Sequence, residues 1–145
     1  MKKYFEVKVK YRKTGEDGKE KKVSEAYLFD AVNWTDAEAK TFKAMEESVR
    51  GDFRIDSIKT SKIVELFAFE DGEFWFKVGV SMVTLDEGAK KEKKIKENFL
   101  VMADNVQEAL NRMNSSLDYL LVPYAVTSVS ASNIVDVFPY QDAKE

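Results

Sequence analysis

The side chains able to do chemistry in this chain are lysines, arginines, hydroxyls and a tryptophan, and most of them fall on strand-like stretches. Lys8, Lys10 and Arg12 alternate with Val7, Val9 and Tyr11, so they share the outward face of one strand. Trp75, Lys77, Gly79 and Ser81 alternate in the same way with Phe76, Val78 and Val80. An indole, an ammonium and two small residues on one face can admit and stack a base. Ser57, Lys59 and Ser61 match Ser128, Ser130 and Ser132 in spacing, which gives two hydroxyl-bearing strand faces. Hydroxyls and ammonium groups together bind phosphate or ribose. The candidate ligand contacts are therefore Lys8, Lys10, Arg12, Lys59, Trp75, Lys77 and Ser130. The plainer reading of each is the solvated face of an amphipathic strand. Lys19, Lys21 and Lys22, with Lys91, Lys93 and Lys94, mark two hairpins; the functional reading is a cationic rim for phosphates, diluted by Glu20, Glu25, Glu92 and Glu97, and the plainer reading is that lysines keep sheet edges from pairing.

Other chemistry is excluded by composition. The 145 residues include no histidine and no cysteine. That removes disulfides, thiolate nucleophiles, Cys/His zinc sites and imidazole acid–base work. The six glycines are isolated and form no phosphate-binding loop. Glu46, Glu47, Asp86 and Glu87 fall on helix or turn positions expected to be exposed. The expectation is a protein that is not an enzyme, with no cofactor and no metal. A net charge of −3 argues against duplex nucleic acid, which is held by neutralising many phosphates. Met1-Lys2-Lys3-Tyr4-Phe5-Glu6 has no apolar run behind it, so no signal peptide is expected. No stretch approaches the roughly 20 apolar residues of a membrane span. A cytoplasmic protein without membrane contact is the resulting expectation.

The elements that must position these residues recur. Lys19-Glu20-Lys21-Lys22-Val23-Ser24-Glu25-Ala26-Tyr27-Leu28 returns 72 positions later as Lys91-Glu92-Lys93-Lys94-Ile95-Lys96-Glu97-Asn98-Phe99-Leu100. Phe5 to Val9 matches Phe76 to Val80, and Ile63 to Phe67 matches Ile134 to Phe138. The reading is an α+β fold: tandem duplicated β-β-α-β-β units, mostly antiparallel sheet, with two helices packed on it. One domain over 1–140 would consist of repeats 1–72 and 73–140 around one core, and 141–145 would be a flexible tail. Gly15-Glu16-Asp17-Gly18 and Asp86-Glu87-Gly88 turn the hairpins. Thr35 is the expected N-cap of a helix over 35–49, with Glu38 completing a capping box. Its face is Trp34, Ala37, Thr41, Met45 and Val49, and Gly51 stops it. A second helix over 106–121 carries Val106, Ala109, Met113, Leu117 and Leu120, and Pro123 ends it. Glu70-Asp71-Gly72-Glu73 joins the copies, which are expected to pair through Leu66–Phe69 and Phe74–Val78. Phe67 and Phe138 are each expected in the core of their own copy, and Pro139 at a strand end.

Several of these segments resemble a known family. Tyr4-Phe5-Glu6-Val7-Lys8-Val9, Lys22-Val23-Ser24-Glu25-Ala26-Tyr27-Leu28, Thr35-Asp36-Ala37-Glu38-Ala39 and the closing Ile134-Val135-Asp136-Val137-Phe138-Pro139-Tyr140 are similar to the domain of unknown function 4494 family over essentially the whole chain. The resemblance implies a small accessory protein of Bacteroidetes, their phages or mobile elements. It transfers no catalytic residue.

With that context, the residues point to a non-catalytic protein that binds and sequesters an anionic nucleotide-type signalling ligand in a bacterial host cytoplasm, an anti-defence sponge. Single-stranded nucleic-acid binding in phage replication and a protein-interaction module are the alternatives. Association into a homo-oligomer stays open. The acidic balance favours a small ligand, because a local cluster of cations suffices for it and a long strand needs a continuous basic track.

Overall fold

The structure, a computed structural model, describes residues 3–49, 51–88, 90–118, 120 and 122–138. The order is β1 (Lys3–Thr14), β2 (Glu20–Ala31), α1 (Trp34–Ser48), β3 (Phe53–Thr60), β4 (Ile63–Phe67), β5 (Phe74–Asp86), β6 (Lys91–Ala103), α2 (Val106–Leu117), β7 (Tyr124–Ala131) and β8 (Ile134–Phe138). This is an α+β protein with β-β-α-β-β order in each half. The expected tail 141–145 and the expected strand end at Pro139 lie outside the described residues.

Alternation makes the two long hairpins. In β1, Phe5, Val7 and Val9 are buried while Lys10 and Arg12 are exposed. The β1–β2 loop closes with Gly18 at φ +77°, a conformation that favours glycine, and its N–H donates to the Gly15 carbonyl at 3.0 Å. The register then sets Arg12 opposite Lys22 and Lys10 opposite Ser24.

The sheets do not follow the sequence halves. One has the order β3-β1-β2-β8 and the other β4-β6-β5-β7. Each half therefore contributes its last strand to the other half's sheet. β8 runs parallel to β2, β4 runs parallel to β6, and the remaining pairings are antiparallel. The pairing expected between Leu66–Phe69 and Phe74–Val78 does not form, because both edges of β5 are taken, by β6 and by β7. Leu66 instead lies opposite Leu100, and Phe67 opposite Val101. The chain forms two compact units, one running to Ser61 and resuming at Asn133, the other Lys62–Ser132. These boundaries differ from the 72/73 division read from the repeat.

Each unit buries its own cluster. In the first, Val7, Val9, Tyr27, Phe29 and Met45 pack together, and Phe138 stacks on Phe29 at 4.7 Å. In the second, Phe76, Val78, Val80, Phe99, Val101, Met113 and Leu117 do the same, with Phe67 tilted against Phe99 at 5.9 Å. Phe67 and Phe138 are thus core residues, each in the sheet of the opposite half, and both are half-buried.

The first helix is capped two residues before Thr35, and the second starts at Val106 as expected. Asn33, extended at φ −160°, is the N-cap, and its Oδ1 accepts from the Asp36 N–H at 2.8 Å. Asp36 Oδ2 in turn accepts from the Val32 N–H at 3.0 Å. Asn105, Glu108 and Asp104 repeat the arrangement at 2.8 and 3.2 Å. The buried faces are Ala37, Thr41 and Met45, and Ala109, Met113 and Leu117. Trp34 and Val106, expected on those faces, stand at the first helical position and are half exposed, 51% each. The second helix ends at Leu117, well before Pro123. Bonds of three-residue span, Asp118 N–H to Ser115 and Leu120 N–H to Leu117, tighten its end. Leu120 is therefore outside the helix. The first helix stops at Ser48 with Val49 as its extended C-cap, so Gly51, at φ +97°, lies two residues beyond the cap.

The turn joining β4 to β5 depends on Gly72. Its N–H donates to the Phe69 carbonyl at 3.0 Å, and a Cβ here would lie 2.7 Å from the Ala103 backbone nitrogen. Arg112 secures the same turn, bonding Asp71 and Glu108 at 2.8 and 2.9 Å and lying over the Phe69 ring at 4.6 Å.

Candidate anion-binding groove

β1 is the central strand of the candidate site. Its outward residues meet those of β2 and β3 by register. Lys10 lies opposite Arg54 of β3, and Arg12 opposite Lys22 of β2. These four cations line a groove of about 480 Å³ in the first unit. Ser24 and Asp52 add polar groups to its lining, and Tyr11, Val23 and Phe53 complete it. The β1–β3 register slips between Lys8 and Val9, leaving Asp56 as the extra residue of a bulge. The bulge aims the Asp56 carboxylate at both neighbouring cations, 3.5 Å from Lys10 Nζ and 3.7 Å from Arg54 Nη2. Glu20 Oε2 stands 3.5 Å from Arg12 Nη1. Lys22 makes no ion pair among the described residues.

These pairs are weak and exchangeable. The Lys10, Arg12 and Arg54 side chains are 47, 65 and 72% exposed, so water screens their attraction to the carboxylates. An incoming phosphate carries more charge and more acceptor oxygens than one carboxylate. It can displace the carboxylates at little cost.

Below the groove, two phenols share one acceptor. The Tyr11 and Tyr27 hydroxyls both donate to Glu25 Oε1, Tyr27 at 3.0 Å. Burial, reinforced by the Glu25 bond and charge, pushes the Tyr11 phenol up to about 12. The same causes raise Tyr27 further. The Tyr11 hydroxyl is thus a hydrogen-bond donor tying β1 to β2 through Glu25. No group of three or more acidic residues placed to hold a metal ion occurs among the described residues.

The model of a protein family described as a domain of unknown function (DUF4494) matches residues 3–140. The chain belongs to this family. No curated protein and no solved structure matches it. The DUF4494 description states no activity, so the site rests on geometry.

The geometry divides the residues that the sequence singled out. Lys10 and Arg12 line the groove. Lys8 is the next outward residue on β1, half-buried, opposite Ser57 and outside the lining. Lys59 lies one further step away, opposite Glu6. Trp75, Lys77 and Ser130 belong to the other unit. There Lys77 and Ser130 are direct cross-strand neighbours. Trp75 is only 9% exposed, so its indole is not the open stacking platform expected. Gly79 does not leave room for a base either. Ser128 Oγ lies 2.6 Å from where its Cβ would be, and Thr127 Oγ1 donates to its carbonyl at 3.2 Å.

Of the groove residues, Arg54 is not among the sequence candidates, and Lys22 enters there only as one of the hairpin lysines of a cationic rim. The hairpin turn at Gly15–Gly18 carries the signal for Lys22, because counting back from it sets Lys22 opposite Arg12. Arg54 depends on the bulge at Asp56, which has no sequence signature. The DUF4494 chain does not repeat the four cations at the matching described positions of its second unit. Ser81 stands there opposite Lys96 and Ala125, and Val83 opposite Lys94.

Proposed function

We propose that this chain binds an anionic nucleotide-type ligand in the first-unit groove and sequesters it without turning it over. The observation that carries the proposal is that register brings Lys10, Arg12, Lys22 and Arg54 together on neighbouring strands, all four contributing to the lining of a groove of about 480 Å³. That volume is in the range of small-molecule sites. It favours a ligand of one to three nucleotides over a long strand, which needs a track of cations. The family resemblance supports a phage or mobile-element accessory protein working as a sponge in a bacterial cytoplasm. No helix among the described residues is long and apolar enough to cross a membrane. Matching caps at Asn33 and Asn105 and matching bulges at Asp56 and Thr127 favour reading the halves as copies of one unit, of which the first kept the ligand site.

Calorimetry at low salt, with mononucleotides, short oligonucleotides and long oligo-dT, tests the reading. Small nucleotides should bind in a saturable one-to-one isotherm, and affinity should level off once the strand exceeds about three nucleotides. Mass spectrometry after heat release should return the ligand intact. Affinity that rises steadily with oligo-dT length would establish the single-strand alternative instead. Ligand cleavage above the buffer rate would overturn the non-catalytic reading.

A further inference from the structure

The four groove cations are not spread evenly. They form two brackets. Lys10 and Arg54 face each other across the β1–β3 boundary, and Arg12 and Lys22 across the β1–β2 boundary. Directly opposite side chains in antiparallel strands start about 5 Å apart, so each pair of long cationic side chains can close on a single phosphate. Lys10 and Arg12 are two residues apart on the same strand face, about 7 Å along it, and the brackets lie on opposite sides of β1, about 5 Å apart across the strands. The bracket centres are therefore roughly 8 Å apart.

In the protein itself one bracket already holds a carboxylate, and the other is engaged through Arg12 alone. The Asp56 carboxylate sits between Lys10 and Arg54, and the Glu20 carboxylate reaches Arg12. Two brackets at this separation do not suit contiguous phosphates, which share a bridging oxygen and lie much closer together. They suit two phosphates on separate positions of one sugar, or the successive phosphodiesters of a short oligonucleotide.

Resting on the nucleotide reading above, we infer that the groove selects ligands carrying two phosphates separated by a sugar, one in the Lys10–Arg54 bracket and one in the Arg12–Lys22 bracket. Asp56 and Glu20 hold the brackets open in the free protein and are displaced on binding. The second unit cannot compete, because Ser81, Val83 and Ala125 stand where three of the four cations would be.

Calorimetry on the full chain with three probes tests this: adenosine 3′,5′-bisphosphate, ATP and AMP. ATP controls for charge, since its phosphates are contiguous. The bisphosphate should bind about tenfold more tightly than either of the others, the gain expected from a second charge-assisted contact. Lys22→Gln should lower bisphosphate affinity about tenfold and abolish its advantage over AMP. Lys94→Gln, in the second unit, should change nothing. Melting curves of both variants check that they remain folded. If ATP binds as tightly as the bisphosphate, the spacing inference is wrong and the nucleotide reading stands. If none of the three binds at millimolar concentration, both fall.

Discussion

Truncating Phe138 should loosen strands more than a hundred residues earlier in the chain. Phe138 is in β8, which completes the first-half sheet beside β2. Its ring stacks on Phe29 at 4.7 Å and 11° and tilts against Tyr27 at 6.0 Å. A fully buried Phe→Ala change costs about 3–5 kcal/mol. Phe138 is only half-buried, which reduces the packing loss to about 2 kcal/mol. Losing the stacked pair adds about 0.5–1 kcal/mol. The expected cost of Phe138→Ala is therefore about 2.5–3 kcal/mol, enough to lower the melting temperature by several degrees. Native-state hydrogen exchange followed by mass spectrometry localises the effect. Phe138→Ala should raise exchange in β1 and β2, and Phe67→Ala in β5 and β6. Phe74→Ala, whose side chain is 55% exposed, should stay within about 0.5 kcal/mol of the parent. If Phe138→Ala chiefly loosened β5 and β6, the exchange of terminal strands would be refuted.

Gly72→Ala should destabilise by about 1–3 kcal/mol in urea unfolding, since its Cβ meets backbone at 2.7 Å and cannot be accommodated by a rotamer change. Asn33→Ala and Asn105→Ala should each cost about 1 kcal/mol by the same assay, and Thr35→Ala much less. Tyr11 has a folded pKa of about 12, above its ordinary value of 10.0, so folding favours the neutral phenol. Its contribution is fully present below pH 10 and is lost as pH rises toward 12. Denaturation midpoints should fall over that window in the parent and fall less in Tyr11→Phe. Asp56→Asn should strengthen AMP binding several-fold in calorimetry, because it removes the carboxylate that occupies the Lys10–Arg54 bracket.

Local elements were legible because each rests on nearby residues. Alternation at Phe5, Val7 and Val9 identifies β1, and the spacing of Ala37, Thr41 and Met45 identifies the buried face of α1. Thr35 and Asn33 are both acceptable caps two residues apart, so local sequence does not choose between them. The choice was settled by where the chain leaves β2 at Ala31. The exchange of β4 and β8 left no trace in the sequence, since Ile63–Phe67 and Ile134–Phe138 are similar enough to suit either sheet. Half of the groove was visible as the Lys10 and Arg12 stripe. The other half, Lys22 and Arg54, comes from register, which depends on the hairpin turn and on a bulge. Alternation alone assigns the Trp75 face to solvent, whereas the indole is buried there.

Amide chemical-shift mapping with AMP on the isotopically labelled full chain tests the central claim most directly. The account predicts saturable shifts concentrated at Lys10–Arg12, Lys22–Ser24 and Asp52–Arg54, with Lys77, Ser81, Lys94 and Ser130 unmoved. Shifts centred on Lys77 and Ser130, or no saturable shifts anywhere at millimolar AMP, would contradict it.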